Sequence, residues 1–527
     1  MLSRSENISC HLRQLPMLRV LLPVVVGVVI ADRLTLPLWG VAVGFVFAMV
    51  AAWFLRASSR SNGCLFVAFV LLGMLAVGAR RGAELSPAEV LRPGEVVAEV
   101  AIERVASRNR DVLFCDGRVV ACRAVADAEG RGGDSFQSKM VNWPVRVAAD
   151  SAIGVQMGSR LLVRPRLREY SKQSENLFES YMARCGVVGQ LRVMSEDVVR
   201  HSLGSMHLVR RLHEVALRRL RLLDMGDKER AVVEAMSIGE RLSLNTELRQ
   251  SYARSGAAHL LAVSGLHVGF VFAIINLLFV VAALLRHGQV VRGVVAIAVI
   301  WLYAAVAGAS PSVVRAAVMF TILQMASIFS ARTLALNTLA FTACVMLMWN
   351  PLLLYDVGFL LSFSAVAGIV VWGRPISRLS HLLRRPRLSV SEYERGWRDV
   401  AYRVVAYLWR AVAMSAAASV ATMPIVSYMF GVVSLWSVVA GPLMILLGMA
   451  IVSVAMVWIL LPIGFMQGVA SWLLDNLTSL LNGIVGWCSQ HDALLYEGEI
   501  SGGVCIACYF LFAGTVVWLW SREKEDA

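Results

Sequence analysis

His259-Leu260-Leu261-Ala262-Val263-Ser264-Gly265-Leu266-His267-Val268-Gly269 sets two imidazoles and a Ser-Gly pair inside an apolar run. Hydrocarbon offers no partner to a polar side chain or an opened backbone. At membrane depth such a segment persists only where protein packs around it or where it lines an aqueous cavity. His259 and His267 stand eight residues apart, about 80 degrees round a continuous helix. They face one another only if Ser264-Gly265 interrupts that helix, so a break belongs to the reading. Two histidines lack the further ligands of a zinc site, and pore lining or hydrogen-bonded packing is expected rather than a metal. The first expectation is a transport path.

The rest of the chain fits a membrane. Of 527 residues 58% are apolar and 16% charged, with a mean hydropathy of +0.66, whereas soluble domains carry about 25% charged residues. This excludes an ordinary globular enzyme and predicts a polytopic α-helical membrane protein. The net charge of +14 fits either a polyanionic partner or basic cytoplasmic loops.

Residues 1–80 hold three apolar runs (20–31, 34–55 and 61–79) expected to be N-terminal transmembrane helices. Residues 81–200 turn polar, with strand-like segments near 95–103, 117–124, 145–149 and 160–167, and are expected to form a small β domain. Residues 201–230 alternate leucines with Arg210, Arg211, Arg218, Arg219 and Arg221 at helical spacing. That pattern predicts an amphipathic linker helix lying on the membrane surface, or equally a solvated linker. Five spans are expected within 231–373, a basic insert within 374–410, and within 411–527 three spans drawn largely from 64 uncharged residues ending at Leu474, then a last one over 500–520. The total is about twelve.

Nine arginines in 374–410 mark that insert as cytoplasmic. Counting back five spans places residue 250 outside. Counting forward three spans from an N-terminus with Arg4, Arg13 and Arg19 places the β domain on the same outer face. Both termini are then cytoplasmic.

Further polar residues invite a role. Arg315 follows the turn Gly308-Ala309-Ser310-Pro311-Ser312 and is expected either to bind phosphate or to snorkel to the interface. Asp356, after Asn350-Pro351, and Asp475, in mid-span, are expected to pair internally. Arg160, Arg164, Arg166 and Arg168 alternate, so on one strand they share a face that tracks phosphates or is merely solvated. Trp143 and Tyr170 are the sparse aromatics near them. Pairing among Cys115, Cys122 and Cys185 is left open. Ser264 before His267 also raises an intramembrane hydrolase, although no base or oxyanion donor is placed beside it.

The stretch Arg254-Ser255-Gly256 followed by His259 through Val268 resembles the signature of the ComEC family of bacterial competence channels. Ala235-Met236-Ser237-Ile238-Gly239-Glu240-Arg241 is similar to the helix preceding it. Gly308 through Ala316, Asn350-Pro351 with Asp356-Val357-Gly358-Phe359, Leu361-Ser362-Phe363, Pro424, Phe430-Gly431 and Gly441-Pro442 resemble later blocks. The run from Asn176 to Val187 resembles the end of the family's extracytoplasmic OB-like domain. The resemblance implies an OB-like domain outside, a competence domain in the bacterial inner membrane, and single-stranded DNA as cargo. His259, Ser264, Gly265, His267, Arg254, Arg315 and Asp356 become channel-lining candidates, and Arg160, Arg164, Arg166 and Arg168 DNA-binding candidates.

Two departures accompany it. Many members carry a C-terminal β-lactamase-like domain, whereas no His-x-His-x-Asp-His occurs here, so strand degradation is expected of a separate nuclease. Val438 stands where many relatives have Asn. No catalytic residue, metal or cofactor is expected. No phosphate-binding loop of a motor occurs in the sequence, so a cytoplasmic motor or single-strand-binding protein is expected to pull, with an extracytoplasmic DNA receptor delivering the strand. A homo-oligomer is left open. A transporter for another anionic or lipid-linked substrate is the alternative, and the intramembrane hydrolase the second.

Overall fold

The computed structural model describes residues 15–34, 36–56, 60–81, 96–109, 111–124, 139–203, 207–279, 288–328, 334–378 and 392–522. Three helices come first: α1 (Pro16–Arg33), α2 (Leu38–Phe54) and α3 (Arg60–Arg81). Gly27 of α1 lies against the Val70 carbonyl and Gly73 of α3 against that of Val24, where a Cβ has no room. Small residues let the two backbones touch, and dispersion then holds helices that lipid does not drive together.

A seven-stranded sheet follows, built of β1 (Val96–Asn109), β2 (Val112–Ala124), β3 (Lys139–Asp150), β4 (Ser159–Val163), β5 (Arg166–Glu169), β6 (Gly189–Val193) and β7 (Val198–Leu203). Its order is β5-β6-β3-β2-β1-β4-β7, with β3 and β6 parallel and the other pairs antiparallel. β5 lies at one end of that order and β4 next to the other end, yet the two are joined by Arg164-Pro165 alone, and the Arg164 amide donates to the Asp197 carbonyl at 3.0 Å. The sheet therefore curls until its ends meet. Alternate residues, among them Val145, Val147, Leu161, Val163, Leu191 and Val193, fill the interior. Helix α4 (Leu177–Arg184) stands between β5 and β6 and is capped by Asn176.

Cys115, Cys122 and Cys185 are free. Burial pushes the Cys115 thiol up to about 12, above the reach of disulfide exchange at neutral pH.

Helices α5 (His207–Arg221), α6 (Asp227–Ile238) and α7 (Thr246–Arg254) lead to α8 (Gly265–Leu278), α9 (Gly288–Val306), α10 (Pro311–Ile328), α11 (Ala335–Trp349), α12 (Val357–Arg378) and α13 (Glu392–Phe430). The strand β8 (Val432–Ser434), short α14 (Trp436–Val439), α15 (Gly441–Leu460), α16 (Gln467–Gln490), β9 (Leu495–Glu497) and α17 (Gly502–Arg522) complete the described chain. Among the described residues five helices are long and apolar enough to cross a membrane: Arg60–Arg80, Gly288–Val306, Pro311–Ile328, Val404–Phe430 and Gly441–Leu460. Shorter apolar helices include Leu38–Phe54, Gly265–Leu277, Ala335–Trp349, Val357–Gly373 and Gly502–Trp518. The protein is thus a helical membrane protein carrying a small sheet domain. Residues 379–391, most of the basic insert's first half, and the loop near 130–135 fall outside the described residues.

Helix α5 packs part of its apolar face against protein: Ala216 and Leu220 are buried in the same core as α6, α9 and α15, while Leu208 and Val215 stay exposed. Arg219 donates to the Ile459 carbonyl, and Trp458 Nε1 donates to the Arg219 carbonyl at 2.7 Å. A strong amphipathic pattern states only that one face is apolar; here protein covers part of it.

Candidate functional site

The chain opens where the Ser-Gly pair requires. After a short 3-10 turn at Ala258–Leu261, Ala262 and Ser264 are extended and α8 begins at Gly265. The Ser264 amide donates to His267 Nδ1 at 3.2 Å, so the imidazole caps the helix it belongs to. That bond occupies the ring nitrogen nearest Ser264 and is the geometry of a cap rather than of a general base.

Arg315 of α10 reaches this opening. It is 7% exposed, and a Cβ on Gly265 would lie 2.9 Å from its Nη2. Glycine there lets the guanidinium touch the first turn of α8. Arg315 Nε donates to Ser362 Oγ at 2.7 Å, Ser362 in turn donates to Ser312 Oγ at 3.2 Å, and the guanidinium lies 5.8 Å from the centre of the Phe363 ring. No described carboxylate pairs with it. A buried cation thus abuts a helix N-terminus, which itself carries about half a positive charge. Both groups favour an anion.

His259 donates from Nδ1 to the Gly256 carbonyl at 3.2 Å. Its imidazole is exposed on the short 3-10 turn that precedes the break. His267, by contrast, is 2% exposed. Ser264, Gly265, His267, His259 and Arg315 are therefore one constellation.

Arg254 and Asp356 stand apart from it. Arg254 Nε donates to the Ser489 carbonyl at 3.3 Å, joining α7 to α16. Asp356 Oδ1 accepts from the Phe359 amide at 2.8 Å, capping α12, and also bonds Tyr181 of the β domain. Asp475 is explained as well: its Oδ1 accepts the Gly226 amide at 3.0 Å, ahead of α6.

A serine group escaped the sequence reading. Ser415 Oγ donates to the Ser437 carbonyl at 2.7 Å, Ser419 and Ser437 share a hydroxyl contact at 3.1 Å, and Ser437 Oγ donates to the Ser434 carbonyl at 2.8 Å. Ser434 Oγ is buried without a partner. Gly256, in the left-handed region at φ 75°, packs on Ser434 and Ser437. The available signal was the four-residue spacing of Ser415 and Ser419 on one helix face.

In the β domain the four alternating arginines do not share one straight strand. Pro165, lacking an N–H, ends β4, and β5 begins at Arg166 on the far side of the order. Arg160 pairs with Glu99 at 3.2 Å, Arg166 with Asp197 at 3.1 Å, and Arg168 with Glu179 at 2.7 Å. In each pair the arginine is the more exposed partner, while the carboxylate is partly or, at Asp197, almost wholly buried. Trp143 is buried in the domain core, and Tyr170 meets Phe178 edge-on, so neither offers a free stacking face.

The sequence comparisons agree with the resemblance. The family model described as competence protein matches residues 236–522, more than half of the chain. Over 140 residues the chain is 30% identical to ComE operon protein 3 of Bacillus subtilis (strain 168), covering 27% of this chain and 18% of that one. It is 34% identical over 143 residues to an uncharacterised protein of Aquifex aeolicus (strain VF5), covering 27% of this chain and 33% of that one. With the uncharacterised protein YcaI of Escherichia coli (strain K12) the identity is 26% over 155 residues, 19% of that protein's length. The matched region thus spans a third or less of each of these relatives. No solved structure matches. With its apolar helices and a family-model match over more than half of its length, the chain belongs to the competence protein family, the ComEC group of membrane proteins.

Proposed function

We propose that this chain is an inner-membrane channel for single-stranded transforming DNA, with the curled sheet serving as an OB-like outer domain. Twelve helices serve as spans: α1 to α3, α8 to α13, α15, α16 and α17. Both termini face the cytoplasm. The β domain contacts the ends of helices that this count directs outward: Lys172 pairs with Asp32 in the last turn of α1, Arg104 lies beside Gly308 after α9, and Gly186 packs on Leu352 after α11. A sheet whose ends meet, with β3 parallel to β6, supports the OB-like reading.

The observation that carries the reading is Arg315: buried, with no carboxylate partner among the described residues, against the start of α8. A passing phosphodiester supplies the missing negative charge. The serines around Gly256 extend the polar wall. The domain limits, 81–200 outside and 231–373 with 411–527 in the membrane, follow the sequence reading. The role is transport rather than catalysis. Delivery by an outer receptor, strand degradation by a nuclease, and pulling by a motor or single-strand-binding protein belong to partners.

The test is import of labelled DNA into the cytoplasm of a transformable host lacking its own channel. The parent chain is expected to restore import, and His267→Ala to abolish it at equal membrane abundance. Absence of import by a well-folded parent alongside compatible partners overturns the DNA reading.

A further inference from the structure

Three arginines from three elements meet at the seam where the β domain joins the helices. Arg104 belongs to β1, Arg241 to the connection between α6 and α7, and Arg249 to α7. Leu242, beside Arg241, packs into the β-domain core and holds this connection against the sheet. Arg249 Nη2 donates to the Arg241 carbonyl at 2.6 Å, and the Arg104 side chain runs 3.7 Å from where a Cβ of Gly308 would be.

Charge at this seam is not balanced. Asp116 holds Arg104 at 2.7 Å, but among the described residues no carboxylate pairs with Arg241 or Arg249. Arg249 Nε and Ser310 Oγ, the latter two residues beyond Gly308, are buried without hydrogen-bond partners. Burial, and after it the Arg104 and Arg249 charges, lower the Arg241 guanidinium from its ordinary value. A buried donor left unpaired costs about 1–3 kcal/mol, more when charged. A fold that keeps three guanidinium groups and an orphan hydroxyl together has room in its electrostatics for an anion with several acceptor oxygens.

We propose that Arg104, Arg241 and Arg249 form a phosphodiester site that grips the DNA strand where it passes from the β domain to the helices, a site that rests on the channel reading. Arg104 is half-exposed and exchanges Asp116 for the incoming phosphate. Arg241 and Arg249 supply the permanent positive charge. The contact is to backbone phosphate, so it carries no base preference.

The experiment measures binding of a fluorescent oligothymidylate to the full chain in nanodiscs across a salt series, with Arg241→Gln and Arg249→Gln beside the parent. Each phosphate contact contributes about 0.7 to the slope of log K against log salt for a single strand. Each variant is expected to lose about that much slope, while Arg241→Lys retains most of it. As a second readout, inorganic phosphate is expected to raise the unfolding midpoint of the parent and not of Arg241→Gln. Unaltered slopes and unaltered phosphate protection in both variants overturn the site and leave the channel reading standing. If the parent binds no oligonucleotide but phosphate still protects it through Arg241, the strand assignment fails. Phosphatidylglycerol against phosphatidylcholine nanodiscs then tests a lipid headgroup as the source of the phosphate. Failure of both readouts in a folded parent overturns the site and the channel reading together.

Discussion

Replacing Arg315 with Met separates a transport role from a packing role, because the two predict opposite changes in stability. The guanidinium makes one charge-assisted bond to Ser362 and lies over Phe363. Those are worth about 1.5–3 kcal/mol and about 0.5–2 kcal/mol respectively. Against them stand desolvation of a buried cation without a counter-charge, several kcal/mol in effect, and the positive start of α8 facing it across Gly265. Ser362 keeps Ser312 as a partner, so its hydroxyl is not orphaned by the change. Met fills much of the same volume beside Met319, which already touches Arg315. Exchange of buried charge for a well-packed apolar side chain is commonly neutral or stabilising by about 1–4 kcal/mol. Arg315→Met is therefore expected to unfold at the parent's midpoint or slightly above it, followed by tryptophan fluorescence in nanodiscs. Its DNA import is expected to fall at least about tenfold, equivalent to about 1.4 kcal/mol of lost phosphate interaction. A variant whose midpoint drops, and whose import falls only in step with the folded fraction, refutes this: Arg315 is then a packing pin.

Two further outcomes test the frame. His213 of α5 contacts Glu240 at 3.6 Å and the Val306 carbonyl at 3.0 Å; burial opposes its charged form, but these contacts win and raise it above its ordinary 6.5, while Glu240 is lowered below its ordinary 4.5 despite burial, through His213 and backbone N–H groups. A raised histidine contributes stability that is present below its unfolded value and lost as pH rises through the folded one, and a lowered carboxylate loses its share as pH falls below 4.5; the pair is thus expected to stabilise between those limits, and His213→Gln to remove the alkaline loss from thermal unfolding measured over pH 5–9, whereas identical profiles for parent and variant contradict the latch. Gly73→Val places two methyls against the Val24 carbonyl, and at equal expression it is expected to separate α1 from α3, read as proteolytic sensitivity of the N-terminal segment; parental resistance counts against the close packing.

Several features of the site were legible in the chain. The break at Ser264-Gly265 was argued from two histidines at a spacing no continuous helix reconciles, and the helix indeed begins at Gly265. Arg315 stood out because a guanidinium among apolar residues needs an explanation. Its partners did not: Ser362 is 47 residues away on another helix, and Gly265 is 50 away. The serines around Gly256 were passed over because small hydroxyls dilute hydropathy little, and only their convergence from α13 and α14 makes them a group.

Sequence alone determined what local chemistry dictates: a membrane protein, because uncharged runs of spanning length have no other stable solvent, and a sheet domain between them, because residues 81–200 alternate and carry charge. The tertiary structure decided which surfaces meet. It buried Ala216 and Leu220 of α5 in protein, placed the arginines of 160–168 on strands far apart in the sheet order, and gave Asp475 a backbone amide to hold. A pattern along the chain states which face of an element must be covered. Only the packing of distant elements states what covers it, and whether a buried charge finds a partner or waits for one to arrive.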